Sequence, residues 1–451
     1  MFDSKWLTAH AKSSPPRGRF QFRAHVPRKQ PEPVMVADKP WESMSLGWHT
    51  LLRDGGRYRL WYECWDDTYQ RDFDGRLCYA ESDDLSTWRK PELGLLEYHG
   101  SKQNNILFDA TMGHGYGLHG HSVCIDPTAP ATHRYRMIYA GYDGRQSGLM
   151  TAHSADGLRW QVATKSGFRY RNDTQNVAFW DPGRQKYVGH FRAMEADTRA
   201  NPGKQVRCIA RAETEDFDSW PKPVTVRAPD EADGPDTDLY NNAACRYESA
   251  GDVAYLLFPS TFHHDTDTCD VEIATSRDGL NWQRLSRTKV IPNGPAWDAG
   301  MAFACPGLVP FRDGYALSYN GCRQKHSETV PRNVRYGGGV GLVEYPTDRF
   351  QGLWTEDLEA TLCSFPLSQT PPRVRLNAVI EPAGEIRGAL MKDGTVLPGC
   401  GFDECAPVTG DVFTDELRWK GEGKLHWFAG QTVELRLVMR KACLYAIELA
   451  E

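Results

Sequence analysis

Short runs in which apolar and polar residues alternate, each about the length of one strand, fill the chain from about residue 42 to 358. Tyr58-Arg59-Leu60-Trp61-Tyr62 follows Asp54-Gly55-Gly56, and Tyr135-Arg136-Met137-Ile138-Tyr139 follows Asp126-Pro127. Tyr187-Val188-Gly189-His190-Phe191, Ala254-Tyr255-Leu256-Leu257-Phe258 and Tyr315-Ala316-Leu317-Ser318-Tyr319 follow Asp181-Pro182-Gly183, Gly251-Asp252 and Asp313-Gly314. Gly supplies positive φ and Asp bonds its own backbone, so these junctions predict hairpins. A second phrase, an Asp, a turn and then a Trp, closes each unit. It runs from Ser82 to Trp88, Ser154 to Trp160 and Ser276 to Trp282, with degenerate copies ending at Trp220 and Trp354. Five units of similar length result, spanning about 42–91, 114–162, 173–224, 238–285 and 297–354, each a small antiparallel sheet. Five such sheets set radially predict a five-bladed β-propeller over 42–358.

The pattern changes after Leu358. Arg373-Val374-Arg375-Leu376, Glu416-Leu417-Arg418-Trp419 and Val433-Glu434-Leu435-Arg436-Leu437-Val438 keep strict period two without a helical stretch between them. Residues 359–451 are therefore expected to form a β-sandwich, and the whole chain to be all-β. The N-terminal extension 1–41 is rich in Pro and Arg. Its one alternating piece, Arg19-Phe20-Gln21-Phe22-Arg23, is expected to be the edge strand that closes the ring. The tract Gly337-Gly338-Gly339 is not a phosphate loop, since no Lys-Ser/Thr follows and a strand comes next.

With 451 residues the chain has room for such a propeller and one further domain. Lys and Arg number 53 against 59 Asp and Glu, and the net charge of −6 leaves no basic footprint for nucleic acid. The 12 cysteines are scattered singly without a CxxC pair, which predicts buried free thiols in a reducing compartment rather than disulfides or a zinc site. The N-terminus lacks an apolar core of signal-peptide length and no run spans a bilayer, so a soluble cytoplasmic protein without a membrane partner is expected.

In a propeller the loops that enter the inner strands form one mouth of a central funnel. The polar and aromatic residues at those positions are Glu42, Trp48 and His49, then His119 and His121, then Asp173, Gln175 and Asn176. The last two units add Asp236, Asp238, Tyr240 and Asn241, then Trp297 and Asp298. Glu63, an acid directly after an aromatic strand, needs a ligand or an ion pair. A carboxylate-rich, aromatic-lined funnel suits glycoside hydrolysis. One acid protonates the leaving oxygen, a second carboxylate attacks the anomeric carbon or activates water, and Trp and Tyr faces meet sugar C–H groups. Arg192, His190 and Arg323 are the residues that would hold phosphate if phosphorolysis replaced hydrolysis. His119 and His121 alternate on one face, but with no third His or Cys nearby they are expected to make sugar contacts or core hydrogen bonds, not a metal site. No cofactor is expected. Calcium would find oxygens in the channel, yet no dedicated calcium loop is present.

These residues carry a resemblance. The repeat followed by a sandwich is similar to the glycoside hydrolases of families 32 and 43, the invertase, fructanase and arabinanase group. Trp297-Asp298-Ala299-Gly300-Met301-Ala302-Phe303-Ala304 resembles the Asp-x-Gly-x-Asp-Phe-Tyr-Ala run of family 32. Tyr79-Ala80-Glu81-Ser82 through Trp88, Lys90-Pro91-Glu92-Leu93-Gly94 and Asn104-Asn105-Ile106 resemble a large, little-characterised bacterial group called family 32- or 43-like. Where family 32 carries its nucleophile, Leu46-Gly47-Trp48-His49 has no acid. The resemblance implies an exo-acting glycosidase on short oligosaccharides, furanose-containing or otherwise unusual. Asp238 would be the general acid, Glu63 the opposing carboxylate, and Asp173 and Asp298 would orient hydroxyls. Glycoside phosphorolysis and non-catalytic sugar binding are the alternatives.

Overall fold

The computed structural model describes residues 17–71, 74–142, 145, 147–163, 173–199, 203–249, 252–329, 338–366 and 373–450. The stretch 1–16, the turn residue Gly251 and Gly337 of the glycine tract lie outside them. The described chain is all-β, interrupted only by short 3-10 turns.

Three units are sheets whose strands follow one another in chain order. The first runs Ser45–Asp54, Arg57–Trp65, Arg76–Ser82, Trp88–Arg89, with Ile106–Phe108 beside its third strand. The second runs His119–Ile125, Tyr135–Tyr142, Ser147–Ser154, Gln161–Val162. The third runs Val177–Asp181, Lys186–Ala196, Gln205–Thr214, Val224–Arg227. In the fourth, Thr237–Ser249 pairs with Asp252–His263, which carries both Thr268–Val271 and Ala274–Ser276 on its other edge. The fifth runs Met301–Phe311, Gly314–Cys322, Gly339–Pro346 and is joined to the fourth by a single parallel pair, Cys269 with Met301.

The outer strand of the fifth unit comes from the far end of the chain. Arg28–Lys29 and Met35–Val36 pair with Gly339–Pro346. Two expectations change here. Arg19–Arg23 does not close this sheet: Arg17–Ala24 pairs with Gln351–Pro366, because Phe20 and Phe22 pack on the C-terminal core. Trp354 does not open an outer strand of the fifth unit, since it lies inside Gln351–Pro366 with the Arg23 guanidinium 3.6 Å over its ring. Lys29 of the N-terminal segment lies 2.6 Å from Asp298.

The repeated phrases explain how the units join. In the Ser-x-Asp turns one geometry recurs: Ser82, Ser154 and Ser276 hydroxyls each accept the amide of Leu85, Gly157 or Gly279 at 2.9 Å. The next Asp then accepts two further amides, as Asp156 does from Leu158 and Arg159 at 2.8 and 2.9 Å. The turn needs positive φ, 76° at Gly157 and 66° at Gly279, and Leu85 tolerates 62° in the first unit. Between units, the Tyr that opens a second strand bonds the hairpin of the unit before it. Tyr135 bonds Asp54, Tyr187 bonds Asp126, and Tyr255 donates to Asp181 Oδ2 at 2.5 Å. Tyr58 of the first unit donates to the Pro310 carbonyl of the fifth at 2.9 Å. First strands also neighbour one another in cyclic order, with the fifth packed on the first.

Gln351–Pro366, Arg373–Lys392 and Thr432–Ala450 form the body of one six-stranded antiparallel sheet, completed by Arg17–Ala24, Thr395–Val396 and Asp411–Glu416. Its apolar interior includes Leu353, Val374, Leu376, Leu390, Leu435 and Leu437. Arg349, 2% exposed, ties this sheet to the turn that leaves the fifth unit, donating to Asn377 Oδ1 at 2.7 Å and to the Val412 carbonyl at 2.8 Å. Eleven cysteines of the described residues are free thiols. No helix of the described residues is long and apolar enough to cross a membrane.

Candidate functional site

The start of each first strand and the end of each second strand open at the same end of the units, and polar groups collect there. Asp238 begins the first strand of the fourth unit and is 2% exposed. Its Oδ2 accepts from Arg207 Nη1 at 2.6 Å and lies 3.1 Å from His264 Nε2. Its Oδ1 has no hydrogen-bond partner, although buried polar atoms are almost always satisfied. An acceptor left open in this way can take a proton or a ligand hydroxyl.

Tyr240 is the centre of the same cluster. Arg192 donates from Nε and Nη2 to the Tyr240 carbonyl at 3.0 and 2.9 Å, its guanidinium 4.2 Å over the ring. Arg207 lies 5.1 Å from that ring, and His326 Nε2 is 2.9 Å from the hydroxyl. Burial raises the Tyr240 pKa against the opposing pull of the two guanidiniums. Burial beside Arg207 lowers that of His326, so its imidazole is poised neutral. Phe262 and Phe303 stand 5.9 and 5.1 Å from Tyr240, and Trp48 lies 5.0 Å from Phe303, completing an aromatic wall. Arg192 also pairs with Asp173, whose side chain is 67% exposed. Desolvation works to raise the Asp173 pKa, but the Arg192 charge, a backbone hydrogen bond and the charges of His119 and Arg207 together outweigh it and lower it. Asp173, Arg192, Asp238, Tyr240 and Trp48 are thus brought together.

Glu63 sits deeper and fully buried. Its Oε1 accepts from the His121 amide at 2.9 Å and lies 2.8 Å from His121 Nδ1, while Oε2 lies 3.3 Å from His119 Nδ1. Burial would raise its pKa, but the two histidines lower it overall, so the carboxylate stays ionised. Gly120 makes this possible. It holds φ at 61°, and a Cβ there would meet the Thr174 carbonyl at 2.0 Å, so only glycine lets both flanking imidazoles reach one carboxylate. His119 Nε2 is also 3.1 Å from the Asp173 carbonyl. Glu63 therefore reaches the mouth through His119 and has no exposed oxygen of its own to face the anomeric carbon.

Other expected residues serve the frame. Glu42 is fully buried and accepts from Tyr62 at 2.6 Å, from the Asp38 amide at 2.9 Å and from Lys90 at 2.7 Å, which saturates it away from the mouth. Asp298 accepts from Tyr319 at 2.8 Å and pairs with Lys29, so it fastens the N-terminal strand. Trp297 stacks on Tyr319 and donates to the Pro31 carbonyl at 3.0 Å. Gln175 bridges the carbonyls of His49 and His121 at 2.9 and 2.8 Å, Asn176 donates to the Thr174 carbonyl at 3.0 Å, and Asn241 donates to the Ala304 carbonyl at 3.1 Å. Gln175 and Asn241 thus tie neighbouring units, while Asn176 braces the approach to its own strand. His49 and His190 are fully buried, and burial lowers both pKa values to about 3. A neutral His190 packed between Phe179 and Trp282 is no phosphate ligand.

Arg207, His264 and His326 were not anticipated from sequence. Arg207 has the one visible signal: it is a charged residue between Val206 and Cys208 near the start of its strand. Among the described residues no group of three or more His, Cys, Asp and Glu is placed to hold a metal ion.

No family model matches the chain, and no curated protein matches it. Solved structures match its fold. A glycoside hydrolase superposes with a TM-score of 0.50 at 14% identity, covering 77% of this chain and 97% of that one. A glycosyl hydrolase from Bacteroides ovatus gives 0.49 at 15% identity, over 74% and 95% of the two chains. A structure from the GH130 family of mannoside phosphorylases, which contains glycoside hydrolases that target β-1,2 mannosidic linkages in Candida mannan, gives 0.49 at 14%, over 73% and 94%. At such identities the likeness is one of fold.

Proposed function

We propose that the chain is a glycosidase, a five-bladed β-propeller over 42–358 whose fifth unit takes its edge from Arg28–Lys29 and Met35–Val36, followed by a sandwich over 359–451 to which Arg17–Ala24 adds a strand. The cyclic packing of first strands and the bond from Tyr58 to Pro310 support the ring. The free thiols fit a reducing, cytoplasmic location. The observation that carries the activity is Asp238, buried, fixed by Arg207 and His264 through one oxygen and left without a hydrogen-bond partner at the other, beside the Tyr240 and Phe303 wall.

In this reading Asp238 delivers a proton to the glycosidic oxygen from Oδ1. Asp173, ionised and held by Arg192, takes the part of the second carboxylate and draws a proton from the attacking water. It replaces Glu63, whose ionised carboxylate positions His119 toward the mouth. The aromatic wall suits a sugar ring at the chain end of a short oligosaccharide. Reducing-sugar release from a panel of aryl glycosides and oligosaccharides tests it. Binding without turnover across the panel would favour a non-catalytic carbohydrate-binding propeller.

One observation favours a second reading. Two guanidiniums, Arg192 and Arg207, converge around Tyr240 and Asp238 with the imidazoles of His264 and His326 beside them, more hydrogen-bond donors for an anion than a neutral sugar requires. Phosphate in place of water as the nucleophile would use them. Turnover that needs inorganic phosphate and yields a sugar 1-phosphate would establish phosphorolysis, and phosphate-independent release of free sugar would establish hydrolysis.

A further inference from the structure

A cavity of about 740 Å³ opens at the same mouth, between the fifth unit and the N-terminal segment. Its walls include Trp297, Pro33, Val36, Ala296, Arg323 and Gln324. That volume is within the range of about 300 to 1,000 Å³ typical of small-molecule sites. Trp297 is rigid there: its ring stacks on Tyr319 at 5.6 Å and 27°, and its N–H is already given to Pro31. Asp298, the next residue, is locked by Tyr319 and Lys29. A fixed indole whose polar edge is spent offers a ligand only its apolar surface, the complement of the C–H face of a sugar ring. The exposed Arg323 and the amide of Gln324 add hydroxyl-bonding groups to the same wall.

One short segment of chain links the wall of this cavity to the Asp238 cluster. Arg323 and Gln324 line it, and His326 reaches the Tyr240 hydroxyl at 2.9 Å. Three residues span at most about 11 Å of extended chain, within reach of one oligosaccharide.

We propose that this cavity is a distal sugar subsite, in which the Trp297 face carries a neutral saccharide residue beyond those bound beside Asp238. The inference rests on the carbohydrate reading above and sharpens it: the preferred substrate is an oligosaccharide of three or more units. Isothermal titration calorimetry with arabino-, manno-, xylo- and galacto-bioses and the corresponding tetraoses tests it. In at least one series the tetraose binds about tenfold tighter than the biose, equivalent to about 1.4 kcal/mol. Ala296→Trp, which fills the cavity from an exposed loop, removes that advantage while biose affinity holds, and Trp297→Ala removes it as well. Equal affinity for biose and tetraose, or a tetraose advantage that survives Ala296→Trp, overturns the subsite and leaves the Asp238 site standing. Absence of binding by every biose and tetraose overturns the carbohydrate reading and the subsite together.

Discussion

Arg207 Nη1 and Asp238 Oδ2, on neighbouring units, are 2.6 Å apart, with the carboxylate 2% exposed and the guanidinium side chain 23% exposed. The pair fixes the carboxyl plane and leaves the buried Oδ1 without a hydrogen-bond partner. Removing the cation strands a buried carboxylate with His264 as its remaining partner. Arg207→Ala is expected to destabilise the fold by about 3 kcal/mol, read as a lower denaturant midpoint at unchanged slope, and to abolish turnover. An unchanged midpoint would mean that the pair contributes nothing to the folded state.

Gly120 is the backbone on which the two imidazoles depend. Gly120→Ala forces positive φ on a residue with a Cβ and drives that Cβ into the Thr174 carbonyl. The expected loss is at least about 2 kcal/mol, with displacement of His119 and His121 from Glu63 visible in their imidazole NMR signals. A neutral substitution would contradict the strained position assigned to this residue.

Acid sensitivity follows from the buried imidazoles. His49 and His190 are pushed from 6.5 to about 3 by burial, so between those values the unfolded chain holds two protons that the folded chain does not. Stability is therefore full above about pH 6.5 and falls as pH drops, by up to about 2.7 kcal/mol per pH unit for the two together. Glu63 adds to this below 4.5, since its folded pKa is lowered and its contribution is lost as pH falls through that value. His190→Phe should halve the slope between pH 6 and 4 in urea melts, and an unchanged slope would rule His190 out as a source.

Tyr255 and Asp181 show what the sequence made legible. Both the hairpin Asp and the strand-opening Tyr are visible as repeats, because turn chemistry and period-two alternation are local. That the Tyr of one unit bonds the Asp of the unit before it is a tertiary relation that no local pattern encodes. Tyr255→Phe leaves a fully buried carboxylate one donor short and should cost about 1 to 3 kcal/mol, measured by thermal or urea melts.

Part of the cluster around Tyr240 was legible for the same reason. Asp238, Asp173 and Tyr240 stand at strand starts, where position alone predicts the mouth. Arg207, His264 and His326 sit at the far ends of second and third strands, and their convergence depends on the relative rotation of units. Phe20 and Phe22 misled because alternation fixes a strand without fixing its partner, and an apolar face goes to the larger core available. Asp298 was offered by its motif alone, and its pairing with Lys29 was not legible because that partner lies at the other end of the chain.

The central claim is that Asp238 transfers the proton. The most direct test compares Asp238→Asn with the native protein on the best substrate of the panel, measuring kcat and binding separately. The account predicts that kcat falls by several orders of magnitude while substrate affinity stays within about threefold, as for a group used only in the transition state. Turnover close to native in Asp238→Asn would contradict it.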